Sequence, residues 1–164
     1  VVMNNLALKT ALLLVTIAGL AACNSSDKPN EAPQLISTSF VTETDEAISD
    51  KLQASDPEND RLRYTLVMAA ESGMVNVQSD GQFVYTPGSE FTGNDSFAVA
   101  ITDGENVVEA TVSIDVQVAV VSFLNYSREA FNQDATDTPL SVNGREFTAD
   151  AMAEADYTDL LQGL

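Results

Sequence analysis

From Gln34 to about Val120, apolar and polar residues alternate with a period of two, and turn residues cut the pattern at short, regular intervals. Neighbouring side chains of a strand point to opposite faces, so this alternation predicts strands with one face buried. Seven fall out of it, at Leu35–Val41, Ala47–Ala54, Arg61–Val67, Met74–Gln78, Gln82–Thr86, Ser96–Thr102 and Val107–Val118. Between them lie turn formers: residues 56–60 (Asp-Pro-Glu-Asn-Asp), Glu71-Ser72-Gly73, Asp80-Gly81, Pro87-Gly88 and Asp103-Gly104. The inward sets are Leu62, Tyr64 and Leu66; Val75 and Val77; Phe83 and Tyr85; Phe97, Val99 and Ile101; and Val112, Ile114, Val116 and Val118.

Seven short strands predict an all-β fold, an immunoglobulin-like antiparallel β-sandwich. At ~1.5–3 kcal/mol for each fully buried large apolar side chain, about a dozen such residues offset the ordering entropy of a domain spanning 33–120. The chain has no tryptophan and one cysteine, so it lacks the marks of an antibody-type sandwich.

The flanks break the rhythm. From Met3 the chain carries one positive charge at Lys9, then runs apolar from Ala11 to Leu20, the order of an export signal. Val1 and Val2 precede the expected start. The run is short for a membrane span, which needs ~20 apolar residues. It closes on Leu20-Ala21-Ala22-Cys23, which resembles the lipobox of bacterial lipoproteins. That resemblance implies a signal peptide over 1–22, cleavage before a diacylglyceryl-modified Cys23, and a covalent lipid, palmitate included, anchoring the chain to a membrane. Asn24 stands where such lipoproteins carry the aspartate that retains them at the inner membrane, so an outer-membrane location facing periplasm or exterior is implied. Residues 23–32 are polar and without period, and read as a flexible tether.

At the other end, 121–164 reads as a short mixed extension. Asn143-Gly144 suits a two-residue hairpin turn within 140–147. Asp150 is placed to cap a short helix with Ala153, Tyr157, Leu160 and Leu161 on one face. Phe123, Leu124, Tyr126 and Phe131 form an apolar cluster of undecided period. The extension packs back on the sandwich, binds a partner or is a truncated second module, and the sequence leaves these three readings open.

Composition narrows the function classes. None of the 25 acids lies in 1–22 and Lys9 is the one base there of 7, so the remainder carries about −19. That charge repels nucleic acid and anionic headgroups, and attracts divalent cations or basic partners. The chain has no histidine, and its thiol is assigned to the lipid, so the usual base and nucleophile of hydrolases are missing and an enzyme is not expected. Phe91 and Tyr85 stand beside turns where a sugar would stack, which makes carbohydrate a candidate ligand against a role as core plugs. The Asn-x-Ser triplets at Asn24, Asn94 and Asn125 read as chance or turn residues.

Calcium is the cofactor with a residue-level argument. Asp56, Glu58 and Asp60 stand at i, i+2 and i+4 in a loop, and hard oxygens so spaced can converge on an ion of 6–8 oxygen ligands. The loop is not an EF-hand, because Arg61 occupies the position that needs glycine. Equally, acids in the loops of an acidic sandwich are ordinary turn formers.

Four motifs in order carry a further resemblance: 54–67 with its Asp56-Pro57-Glu58 loop, Asp80-Gly81-Gln82-Phe83-Val84-Tyr85, Phe91-Thr92-Gly93-Asn94-Asp95-Ser96-Phe97, and Thr102-Asp103-Gly104. Over about 33–120 the chain resembles the cadherin-like or immunoglobulin-like module of bacterial surface proteins. In that module an Asp-x-Asp or Asp-x-Glu pair here contributes to calcium sites with an acid near the domain start; Asp56 and Glu58 match the pair, Glu43 matches the early acid approximately, and Asp103 is a further candidate. The resemblance implies an interaction or adhesion module with a protein partner; the alternative is an accessory subunit of an envelope complex docking through 121–164.

Overall fold

The computed structural model describes residues 28–151 and 153–161. Cys23, the signal segment and the first half of the tether, residues 23–27, lie outside the described residues. The strands are β1 (Gln34–Leu35), β2 (Ser39–Glu43), β3 (Ile48–Lys51), β4 (Ala54–Ser55), β5 (Arg63–Met68), β6 (Gly73–Val77), β7 (Gln82–Pro87), β8 (Gly93–Thr102), β9 (Val107–Gln117), β10 (Ala119–Ser122) and β11 (Arg145–Thr148). A four-stranded sheet in the order β2-β9-β8-β5 faces a three-stranded sheet in the order β3-β7-β6, the layering of an all-β sandwich.

All seven expected strands are present, and the first two are each broken. Residues 36–38 carry the chain from β1, which pairs with β4 in a separate two-stranded ladder, to β2, which pairs with β9 in the four-stranded sheet. The Gln53 carbonyl accepts from the Ile36 and Ser37 amides at 2.7 and 3.2 Å, pinning this crossing. The expectation of an antiparallel sandwich holds for every pairing of the two main sheets except one: β2 runs parallel to β9, with Ser39 opposite Ser113 and Glu43 opposite Gln117.

The core is Leu52, Tyr64, Phe83, Tyr85, Phe97, Val99, Ile101, Val112, Ile114 and Val116, drawn from both sheets. Phe83 joins the layers, its ring 4.8 Å from Phe40 and 5.6 Å from Phe97. Leu62, Leu66, Val75 and Val77 are half-buried against this cluster. Val118, expected inside, is 38% exposed because the ladder ends at Gln117 and the chain turns into β10. Leu52 was outside the inward sets, since Asp50 interrupts its alternation; it closes the core at the break between β3 and β4.

The extension folds differently from its sequence reading. Helix α1 (Phe123–Phe131) absorbs the apolar cluster, and Ser122 caps it by accepting from the Asn125 amide at 3.0 Å. Asp150 does not cap a terminal helix: its carboxylate accepts from the Leu124 amide at 2.9 Å, serving the start of α1. After Ala153 comes a 3₁₀ turn (Glu154–Tyr157) leading into α2 (Thr158–Leu161), with Asp156 accepting from the Ala153 amide at 3.0 Å. The change of helix pitch breaks the single face expected for Ala153, Tyr157 and Leu160, and Ala153 is exposed. Nor is there a hairpin over 140–147. Gly144 turns the chain with φ of 66°, but β11 pairs in parallel with β10 across the α1 connection, setting Val121 beside Phe147. The Phe147 ring then packs edge-on to Tyr126 and Phe123, at 4.8 and 5.9 Å, which a hairpin with 140–142 would not provide.

Candidate functional site

The loop after β4 is organised by Asp56. One carboxylate oxygen accepts from the Glu58 and Asp60 amides at 3.1 and 2.9 Å, and its carbonyl accepts from the Asn59 amide at 3.2 Å. Asn59 adopts φ of 64°, a left-handed conformation that asparagine tolerates. The second carboxylate oxygen of Asp56 is buried and has no hydrogen-bond partner among the described residues. A buried acceptor left without a donor costs about 1–3 kcal/mol, more when charged.

Two neighbouring residues draw this loop toward the β8–β9 turn. The Glu31 amide donates to the Glu58 carboxylate at 3.2 Å, and the Asn30 side-chain amide donates to Asp103 at 3.0 Å. Asp103 also accepts from the Glu105 and Asn106 amides at 2.7 and 2.6 Å and from the Asn106 side chain at 3.2 Å, which in turn donates to the Asn30 carbonyl at 3.2 Å. Partial desolvation raises the Asp103 pKa, but these donors outweigh it and hold the carboxyl below its ordinary range. Asp56, Glu58, Asp103, Asn30 and Asn106 therefore share one pole of the sandwich, rich in hard oxygen atoms.

The other two candidates do not join in the same way. Asp60 contributes its backbone amide, while its side chain is exposed. Glu43 sits at the opposite pole: β2 runs parallel to β9, so Glu43 lies level with Gln117, where β9 ends, and Asp103 precedes Val107, where it begins. At ~3.3 Å per residue the two are roughly 30 Å apart along the strand. Among the described residues, no group of three or more Asp, Glu, Cys or His side chains converges on one metal position. A cation here would need amide and carbonyl oxygens beside the carboxylates.

Asn30, Glu31 and Asn106 were not candidates in the sequence. The first two lie in the stretch read as tether, yet they are bonded to the sandwich, and Pro33 beside them is buried. The Asn-Glu-Ala-Pro run at 30–33 was the available signal, since a buried proline ends a free linker. Sugar stacking on Tyr85 is overturned: its side chain is 0% exposed, and Phe91 packs against the core.

Among the solved structures that the chain is similar to, three match it over about half its length. Human protocadherin-24 EC1-2 is 18% identical, with 57% of this chain and 52% of that one covered and a TM-score of 0.46. A putative α-galactosidase from Bacteroides fragilis is 9% identical, with 55% and 18% covered and a TM-score of 0.44. An endo-fucoidan hydrolase of glycoside hydrolase family 107 is 23% identical, with 54% and 14% covered and a TM-score of 0.43. The chain thus spans about half of the protocadherin fragment and under a fifth of either enzyme. No curated protein matches it. Residues 30–115, which begin at the Asn30 anchor and take in both main sheets, match the bacterial Ig domain family, and the chain belongs to that family.

Proposed function

We propose that this protein is a lipid-anchored interaction module of the bacterial envelope, carried on Cys23 and presenting its sandwich outside the cytoplasm. The family match over 30–115 carries the reading, because a bacterial Ig domain points to an extracellular interaction module. The resemblance of Leu20-Ala21-Ala22-Cys23 to a lipobox supports the anchor, and Asn24 supports the outer membrane. No catalytic role is assigned, since the sequence offers neither histidine nor a second thiol.

Calcium is proposed to stabilise the pole that holds Asp56, Glu58 and Asp103. The buried, unpartnered Asp56 oxygen supports this, as an ion would satisfy it where no protein donor does. Asn30 and Asn106 would complete an oxygen set there.

A second reading, an accessory subunit docking through 121–164, is favoured by the apolar side chains the folded extension leaves exposed: Phe123 at 44%, Phe131 at 51% and Val142 at 57%. Cross-linking in cells, followed by capture of the full chain and of a Phe123→Ser/Phe131→Ser variant, separates the two. Partners retained by the variant support the sandwich as the binding element; their loss assigns binding to the extension.

A further inference from the structure

At the pole opposite the Asp56 loop, the extension is held by two residues in an uncommon backbone state. Asp45 and Glu90 have φ of 61° and 62°, and Asn59 is the other non-glycine residue described with positive φ. Asparagine and aspartate tolerate that region, whereas glutamate rarely enters it, and such residues persist where their surroundings over-determine them. Asp45 lies in the turn after β2 and Glu90 in the loop before β8, and they are bonded to each other, the Glu90 amide donating to Asp45 at 2.9 Å. Their remaining carboxylate oxygens face the extension. Asp45 accepts from Arg145 at 2.8 Å, while Glu90 accepts from the Ser141 hydroxyl and from the Asn143 side chain at 2.7 Å. Between them Gly144 lies so close that an added Cβ would meet the Thr44 methyl at 2.6 Å, and its carbonyl accepts from the Ala119 amide at 3.0 Å.

We propose that residues 141–145 are a releasable strap and that Asp45 and Glu90 are its receptor, so that the extension undocks while the sandwich stays folded. The contrast in packing carries the inference. No residue of α1 is buried, and β10 with β11 make a two-stranded sheet, marginal on its own. Ten core residues close the sandwich without any contribution from the extension. A region held by polar contacts at its edge, beside an independently packed core, opens at lower free energy than that core.

Hydrogen exchange on the full chain in detergent tests this, comparing wild type with two variants. Glu90→Asn keeps a residue suited to left-handed backbone and withdraws the carboxylate from Ser141 and Asn143; Gly144→Ala blocks the approach to Thr44. Both are expected to speed exchange at the Ala119 amide by about tenfold or more, the scale of losing charge-assisted hydrogen bonds, with Val99 and Ile101 in β8 unchanged. Unchanged Ala119 protection in both variants overturns the strap. Acceleration of Val99 and Ile101 by the same factor as Ala119 also overturns it, because strap and sandwich would then open as one unit.

Discussion

Tyr85 donates its buried hydroxyl to Asp95 across 2.9 Å, and this pair ties the two sheets to the loop before β6. Asp95 is 8% exposed and fully used: it also accepts from the Glu71, Ser72 and Ser96 amides at 3.1, 2.9 and 2.8 Å. The buried carboxylate is satisfied by the four donors that converge on it. Asp95→Asn turns one acceptor into a donor facing two other donors, and is expected to cost about 2–4 kcal/mol in urea unfolding. Tyr85→Phe leaves three donors in place and should cost less, about 1–2 kcal/mol. A larger loss in Tyr85→Phe than in Asp95→Asn contradicts this assignment.

The same geometry sets an acid limit. Burial pushes the Asp95 carboxyl up, but the Ser96 amide, the Tyr85 hydroxyl and the Glu71 and Ser72 amides more than compensate, leaving it below its ordinary value of 3.8. A carboxyl whose folded pKa lies below its unfolded one contributes stability that is complete above the unfolded value and is lost as pH falls through the folded one. Unfolding free energy measured against pH should therefore be level in Asp95's contribution above about pH 5 and decline below about pH 4. Asp95→Asn should flatten that decline. An equal acid slope in variant and wild type means that other carboxyls set it.

Calcium at the Asp56 pole has a definite size. An ion at ten times its dissociation constant adds about 1.4 kcal/mol, which raises the melting temperature of a domain this small by roughly 5 °C. The rise should vanish in Asp56→Asn/Glu58→Gln and survive in Glu43→Gln, whose side chain belongs to the opposite pole. Magnesium at equal ionic strength controls for screening of the acidic surface. Equal shifts with both ions return these acids to turn formers.

The sandwich was legible because period-two runs are bounded by Asp-Gly, Pro-Gly and Asp-Pro turns, all local signals. The crossing at 36–38 was not, since alternation continues through it and only pairing with β4 and β9 reveals the change of sheet. Candidate residues divide by the same logic. Asp56 and Glu58 are joined by a local turn that their spacing announces, whereas Glu43 was misplaced because strand direction is a tertiary fact. Asp95 stood in an Asn-x-Ser triplet and gave no sign of burial, its donors Glu71 and Ser72 lying on the far side of two strands. The extension was least legible: Asn143-Gly144 turns the chain as its chemistry demands, but a turn does not say which strand the next segment will join.

Anchoring is the claim on which the proposed location rests, and labelling tests it most directly. Cells expressing the full chain or Cys23→Ala are fed radiolabelled palmitate, and the protein is captured and separated by electrophoresis. Label in the wild type, none in Cys23→Ala, and recovery of the wild type alone in the outer-membrane fraction are the expected results. Label retained in Cys23→Ala, or an unlabelled wild type released to the soluble fraction, would contradict a lipid-anchored module.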